Sequence, residues 1–230
     1  CVEAQYLVST LALVDTLDEQ HLLEDILEDT KPSAPEECSG LHYLYMTPFR
    51  YGLYPKGSRF RRAGATPGVF YASADPKTAV IETAFHILLF YADSPSTPFP
   101  TKPTEHTVFD VPIEAASAID LTTDPFVSER ELWRAPTDYS ACQELEERAR
   151  SGGIDLILYG SIRDPEEGLN GALLSCSVFA AEKPSVTQTW QLWFNAQGVH
   201  AIESHGPTRA TLAPMVFSSD PRIKDMNWDR

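Results

Sequence analysis

Between Cys38 and Ala74 the chain contains no Asp or Glu, yet the same stretch holds Arg50, Lys56, Arg59, Arg61 and Arg62. In a protein of net charge −15 this is a gap in an otherwise acidic sequence. One reading is an anion site. A guanidinium is a planar fork of donors that grips phosphate oxygens in pairs, and Gly52, Gly57, Gly64 and Gly68 allow close backbone approach. The other reading is an exposed basic loop that pairs with acidic surface elsewhere, the N-terminal segment included. The spacing matches neither GxGxxG nor GxxxxGK(S/T), so neither a dinucleotide crevice nor a P-loop explains it.

Two further positions have the chemistry of a site. Glu82 lies in TAVIETAFHILLF, a run apolar on almost every side when wound as a helix, where an unpaired carboxylate is costly. It is either half of a structural ion pair or a carboxylate in a pocket wall. LILYGSIRDPEEGLNG brings Ser161, Arg163 and Asn170 to the end of an apolar strand. Ser161 has no GxSxG context and no histidine beside it, so it reads as a hydrogen-bonding group rather than a nucleophile. Asn170 serves either a turn or a ligand. Arg163 has Asp164, Glu166 and Glu167 as ready local partners.

The elements that must position these residues read as α+β. Residues 4 to 30 repeat apolar side chains at helical spacing, through Leu7, Leu11, Val14 and Leu17 and then Leu22, Leu23, Ile26 and Leu27, and Pro32 and Pro35 end the run. Strands are expected at 41 to 47 and 68 to 73. Asp75-Pro76 is a strong helix start, a capping carboxylate followed by a residue that gives up no bond there, and the enclosed helix runs to about residue 91. Strands follow at 107 to 113 and 118 to 122, helices at 125 to 134 and 138 to 150, and strands at 154 to 160, 172 to 179 and 186 to 195, with a turn at 196 to 198 into VHAIE. Many strands with few intervening helices favour mixed or antiparallel sheets over a doubly wound one. Residues 1 to 37 form an acidic helical extension, and 38 to 230 one domain.

The acidic balance, 33 Asp and Glu against 18 Lys and Arg, makes nucleic acid a poor partner, and no apolar stretch approaches a membrane span. No secretory leader is recognisable. Cys1, Cys38, Cys142 and Cys176 are far apart with no CxxC pair, so reduced thiols in a cytoplasm are expected rather than disulfides. The six histidines show neither HxxxH nor HExxH, and no metal is expected.

In order along the chain, TPFRYG with Arg50, GSRFRRAGATPGVFYAS with Arg59 and Tyr71, AVIETAFH with Glu82, and LILYGSIRD with Ser161 together resemble the RES-domain toxins of bacterial toxin-antitoxin systems, over roughly residues 42 to 180. The resemblance implies a compact α+β fold similar to ADP-ribosylating toxins, with NAD+ consumed as substrate. It also implies an Xre-type antitoxin with a helix-turn-helix domain as partner, and a homodimer within that complex. The extended motifs look closer to the branch that transfers ADP-ribose to a protein; hydrolysis and phosphorolysis of NAD+ are the alternatives, and a non-enzymatic interaction module is a third. On this basis Glu82 serves the transition state, Arg50 and Arg59 clamp the pyrophosphate, and Tyr71 borders the nicotinamide-ribose end. Ser161 and Asn170 hold polar groups of the substrate. The acidic extension and the short linker between Arg50 and Arg59 depart from the compact form.

Overall fold

A computed structural model describes residues 1–4, 10, 13–51, 54–64 and 67–230. The sequence expectations for Leu7, Leu11 and Gly52 lie outside these residues. Two sheets and the helices around them make an α+β fold. The larger sheet is antiparallel throughout and runs β1 (Val2–Glu3), β3 (Thr104–Phe109), β7 (Thr187–Asn195), β8 (Gly198–Glu203), β9 (Arg209–Leu212). The smaller is mixed, in the order β2 (Phe70–Ser73), β6 (Leu169–Leu173), β5 (Leu156–Gly160), β4 (Ala118–Asp120), with only the β4–β5 pair parallel.

Helix α3 (Pro76–Asp93) packs on the larger sheet and follows β2 of the smaller one directly. Asp75 caps it by accepting the Lys77 N–H at 2.7 Å, and Pro76 occupies the first turn as the sequence predicts. Its Val80, Ile81, Ala84, Phe85, Leu88 and Tyr91 join Trp190, Leu192 and Phe194 of β7 and Val199 and Ala201 of β8 in one core. Only Pro76, His86, Phe90 and Asp93 of this helix are exposed, so it is enclosed on most sides, as its near-continuous apolar character requires. A second core forms where α5 (Ser140–Ser151) and Phe60 cover β5 and β6.

Several elements differ from the sequence reading. LHYLYMT is not a strand but the start of α2 (Tyr43–Arg50), capped by His42, whose Nδ1 accepts the Leu44 N–H at 3.3 Å. Tyr45 and Phe49 are four residues apart; Tyr45 meets Phe70 and Phe179 and Phe49 meets Phe179, so helical spacing of the aromatics decides the local fold over their strand preference. Gly68 permits this packing: a side chain there would collide with the Pro48 carbonyl. The extension begins with a strand, β1, on the edge of the larger sheet, and its described helix, α1, spans Leu17–Asp29 with a Thr16–Glu19 capping box. The helix expected at 125 to 134 is a 3-10 turn, Phe126–Glu129, followed by α4 (Arg130–Trp133). The strand expected at 172 to 179 ends at Leu173, and Cys176–Val178 form another 3-10 turn.

The cysteine expectation is corrected. Cys38 and Cys176 form a disulfide, both buried, with Cα atoms 5.3 Å apart across 138 residues of sequence. Spacing along the chain says nothing about a pair closed by tertiary packing, and a disulfide removes the cysteine argument for a reducing compartment. Among the described residues no helix is long and apolar enough to cross a membrane.

Candidate active site

The smaller sheet assembles the site by register. Ser73 ends β2, Asn170 lies opposite it on β6, and Asn170 also faces Tyr159 on β5, so the three side chains share one face. Ser161 follows as β5 runs out. The loop after it returns at Gly168, where a side chain would strike Thr78 and Asp164, and this close approach seats the loop against the first turns of α3. Thr78 Oγ1 donates to Asp164 Oδ2 at 2.7 Å and locks the contact.

Glu82, two turns into α3, is brought over this face with its side chain 19% exposed. Its Oε1 accepts the Ser161 hydroxyl at 2.7 Å and the Asn170 amide at 2.9 Å. Each donor is itself held. Asn170 Oδ1 accepts the Ser73 hydroxyl at 2.6 Å, and Ser161 Oγ accepts the backbone N–H groups of Arg163 and Asp164 at 3.2 and 3.1 Å. The one proton and both lone pairs of Ser161 are therefore engaged, and its geometric task is to orient Glu82. Among the described residues Oε2 has only Arg163 Nη1, at 3.8 Å, beyond hydrogen-bond reach. One carboxylate oxygen is fixed by two hydrogen bonds, and among the described residues the other accepts none.

Arg163 ignores Asp164, Glu166 and Glu167, the partners its sequence offers. Glu166 instead takes Lys77, and Glu167 takes Arg134 and Arg130. The Arg163 guanidinium lies over the Phe85 ring at 4.4 Å, and its Nη2 donates to the Tyr139 hydroxyl at 3.2 Å. Arg59 lies over the face of the same Tyr139 at 4.8 Å and donates through Nη1 to the Trp133 carbonyl at 2.6 Å. Its Nη1 also lies 4.0 Å from Cys142 Sγ, a thiol that burial pushes up. Arg59 is 5% exposed, and no carboxylate among the described residues pairs with it.

Tyr71 borders the same region. The residue is 38% exposed, but its hydroxyl shares a 2.8 Å hydrogen bond with Ser58 Oγ and accepts the Phe60 N–H at 2.9 Å. Burial pushes this hydroxyl up to about 12. Tyr159 packs edge-on to Phe60. Burial first, then the charges of Glu82 and Tyr71, raise its hydroxyl well above the ordinary value, while Arg59 and Arg163 oppose that rise.

The structure thus brings together Glu82, Ser161, Asn170, Tyr71 and Arg59 of the residues singled out in the sequence. Arg50 stands apart from that network. Its Nη1 donates to Glu28 Oε1 and its Nε to the Pro32 carbonyl, each at 2.5 Å, so the end of α2 is tied to the acidic extension. Of the other basic residues in the acid-free window, Arg61 lies over Tyr54 and Arg62 pairs with Glu147. Sequence reasoning overlooked Ser73, Tyr139 and Tyr159. For Arg163 it weighed a group at the strand end against a partner of the local acids, and the structure pairs it with none of those three.

Comparison with curated proteins gives no match. The profile of the RES domain matches residues 34–195, from just after α1 to the end of β7, and so takes in every residue of the network around Glu82. The match covers most of the chain and contains the polar face built by β2, β5, β6 and α3: the chain belongs to the RES-domain family, a family associated with NAD+-acting toxins.

Proposed function

We propose that this protein cleaves the nicotinamide-ribose bond of NAD+ and transfers ADP-ribose to a protein acceptor. The observation that carries the reading is the Glu82 carboxylate, fixed through one oxygen by Ser161 and Asn170 and without a hydrogen bond at the other, where Arg163 Nη1 lies 3.8 Å away, while Arg59 and Arg163 each keep a buried N–H with no acceptor among the described residues. As the glycosidic C–N bond breaks, its electron pair leaves with nicotinamide, which departs neutral, and positive character grows on the ribose. A fixed negative oxygen facing that carbon stabilises the transition state more than the ground state, without having to reorganise. The acceptor then supplies a lone pair to the same carbon and loses its proton, so NAD+ and the acceptor give nicotinamide, the ADP-ribosylated acceptor and one proton. No general acid is needed for so good a leaving group. The Arg59 guanidinium binds the pyrophosphate, and Tyr71 lines the nicotinamide-ribose end.

In this reading the protein acts as a toxin in the cytoplasm, and an Xre-type antitoxin blocks the site until it is removed. The RES-domain match supports the NAD+ chemistry. Incubation with NAD+, with chromatography of the nucleotides and intact-mass analysis of added bacterial extract, tests the reaction. Nicotinamide release with a mass gain on an extract protein is the expected result. Nicotinamide with free ADP-ribose, or with a phosphorylated sugar nucleotide when phosphate is present, reassigns the acceptor to water or phosphate. No nicotinamide above an enzyme-free control under any of these conditions overturns the reading.

A further inference from the structure

Three guanidiniums converge on one tyrosine. Arg59 lies over the Tyr139 ring, and the Tyr139 hydroxyl accepts Nη2 of Arg163 at 3.2 Å and Nη2 of Arg222 at 3.3 Å. Like charges so placed repel, and each needs a counter-charge to be stable in a partly dehydrated setting. Among the described residues only Arg222 has a close one, donating to Asp220 Oδ2 at 2.6 Å and to Oδ1 at 2.9 Å. Arg163 has Glu82 at 3.8 Å, too far for a hydrogen bond, and Arg59 has neutral neighbours. Both are deeply buried, at 9% and 5% exposure. Arg163 Nε and Arg59 Nη2 are buried N–H groups with no acceptor among the described residues. A buried guanidinium donor left unmatched costs free energy, and its remedy is an anionic oxygen.

We infer that Arg59 and Arg163, held apart and aimed by Tyr139, form a binding subsite for a diphosphate, with Tyr139 as a positioning residue. The inference rests on the proposed NAD+ chemistry for the identity of the whole substrate, but the subsite itself is defined by the two unmatched guanidiniums. It places the second arginine of the diphosphate clamp at Arg163, beside Glu82, rather than at Arg50. Arg163 then serves two ends of one substrate: its donors meet the diphosphate while its charge stands next to the carboxylate that faces the ribose. Tyr139 supplies what a carboxylate there would spoil, an acceptor that orients the arginines without cancelling their charge.

Calorimetric titration with inorganic pyrophosphate and with ADP-ribose tests the subsite, beside melting curves and NAD+ kinetics. The parent is expected to bind both. Tyr139→Phe keeps the ring under Arg59 but removes the hydroxyl, and it is expected to weaken both ligands about tenfold, with KM for NAD+ rising more than kcat falls. Arg163→Gln, an independent variant should Tyr139→Phe fail to fold, is expected to lose at least about tenfold in pyrophosphate affinity, and Arg50→Gln to lose none. Absence of pyrophosphate and ADP-ribose binding by the parent overturns the inference, as does affinity within about twofold of the parent in folded Tyr139→Phe or Arg163→Gln. Pyrophosphate binding without nicotinamide release keeps the subsite and removes the cleavage reading; nicotinamide release with unaltered affinities in both variants does the reverse.

Discussion

Arg50 and Arg59 come from the same acid-free stretch and end in opposite circumstances. Arg50, 11% exposed, is matched by Glu28 and the Pro32 carbonyl, and that contact docks an acidic helix whose Leu17, Leu22 and Ile26 stay exposed. Arg59 is carried over the Tyr139 ring with an N–H left unmatched, and the hydroxyl of that tyrosine accepts Arg163, the arginine nearest the Glu82 carboxylate. A satisfied ion pair holds structure together, whereas a buried charge with capacity to spare is an invitation to a ligand. The abundance of basic residues in the window is thus less informative than what each one lacks once folded.

The largest effect that separates the two regions is expected at Glu82. Glu82→Gln retains an oxygen for Ser161 and Asn170 but removes the charge, so nicotinamide release should fall about a thousandfold with little change in melting temperature or NAD+ affinity. Turnover within about threefold of the parent would move Glu82 out of the reaction. On the other side of the comparison, the disulfide joins Cys38, just after the extension, to Cys176 beyond β6. Reduction, or the paired Cys38→Ser and Cys176→Ser variant, should cost about 3 kcal/mol in denaturant unfolding, because a long loop is released in the unfolded chain. Unfolding that is indifferent to reductant would show that the bond adds nothing.

Between these regions in magnitude lies Asn170, buried and bonded at both ends. Asn170→Ala strands the Ser73 hydroxyl and frees Glu82 to swing, with an expected loss of about 1–2 kcal/mol of stability and about tenfold in turnover. Equal losses in folded fraction and rate would make its role structural alone. The smallest effect is expected at the extension. Lys31 first and Arg50 next hold the Glu28 carboxyl below its ordinary range. The pairing is therefore present above the usual carboxylate range and is lost as pH falls through the lowered value. Limited proteolysis should cut after α1 more readily in acid and in Arg50→Gln at neutral pH, while nicotinamide release by Arg50→Gln stays within about threefold of the parent. A steep loss of NAD+ turnover in that variant would return Arg50 to the substrate.

The sequence by itself determined what depends on neighbours along the chain. Asp75 and Pro76 start α3, its apolar run forces enclosure, the short apolar run of β5 marks a buried strand, and period-two alternation marks β7. Glu82 was legible as an anomaly because a carboxylate in such a run must be answered by something. Local pattern failed at α2, where aromatic residues suit a strand and a helix alike until Phe70 and Phe179 choose the helix face. Only the tertiary structure decided which groups answer one another. The register of β2 on β6 on β5 delivers Ser73, Asn170 and the end of β5 to one carboxylate, and packing closes Cys38 onto Cys176. It also gives Arg50 to Glu28, and Arg163 to Tyr139 over three nearer acids. Hydrogen bonds and ion pairs act within a few ångströms, so their partners are set by where the chain returns in space, and sequence separation carries no record of that.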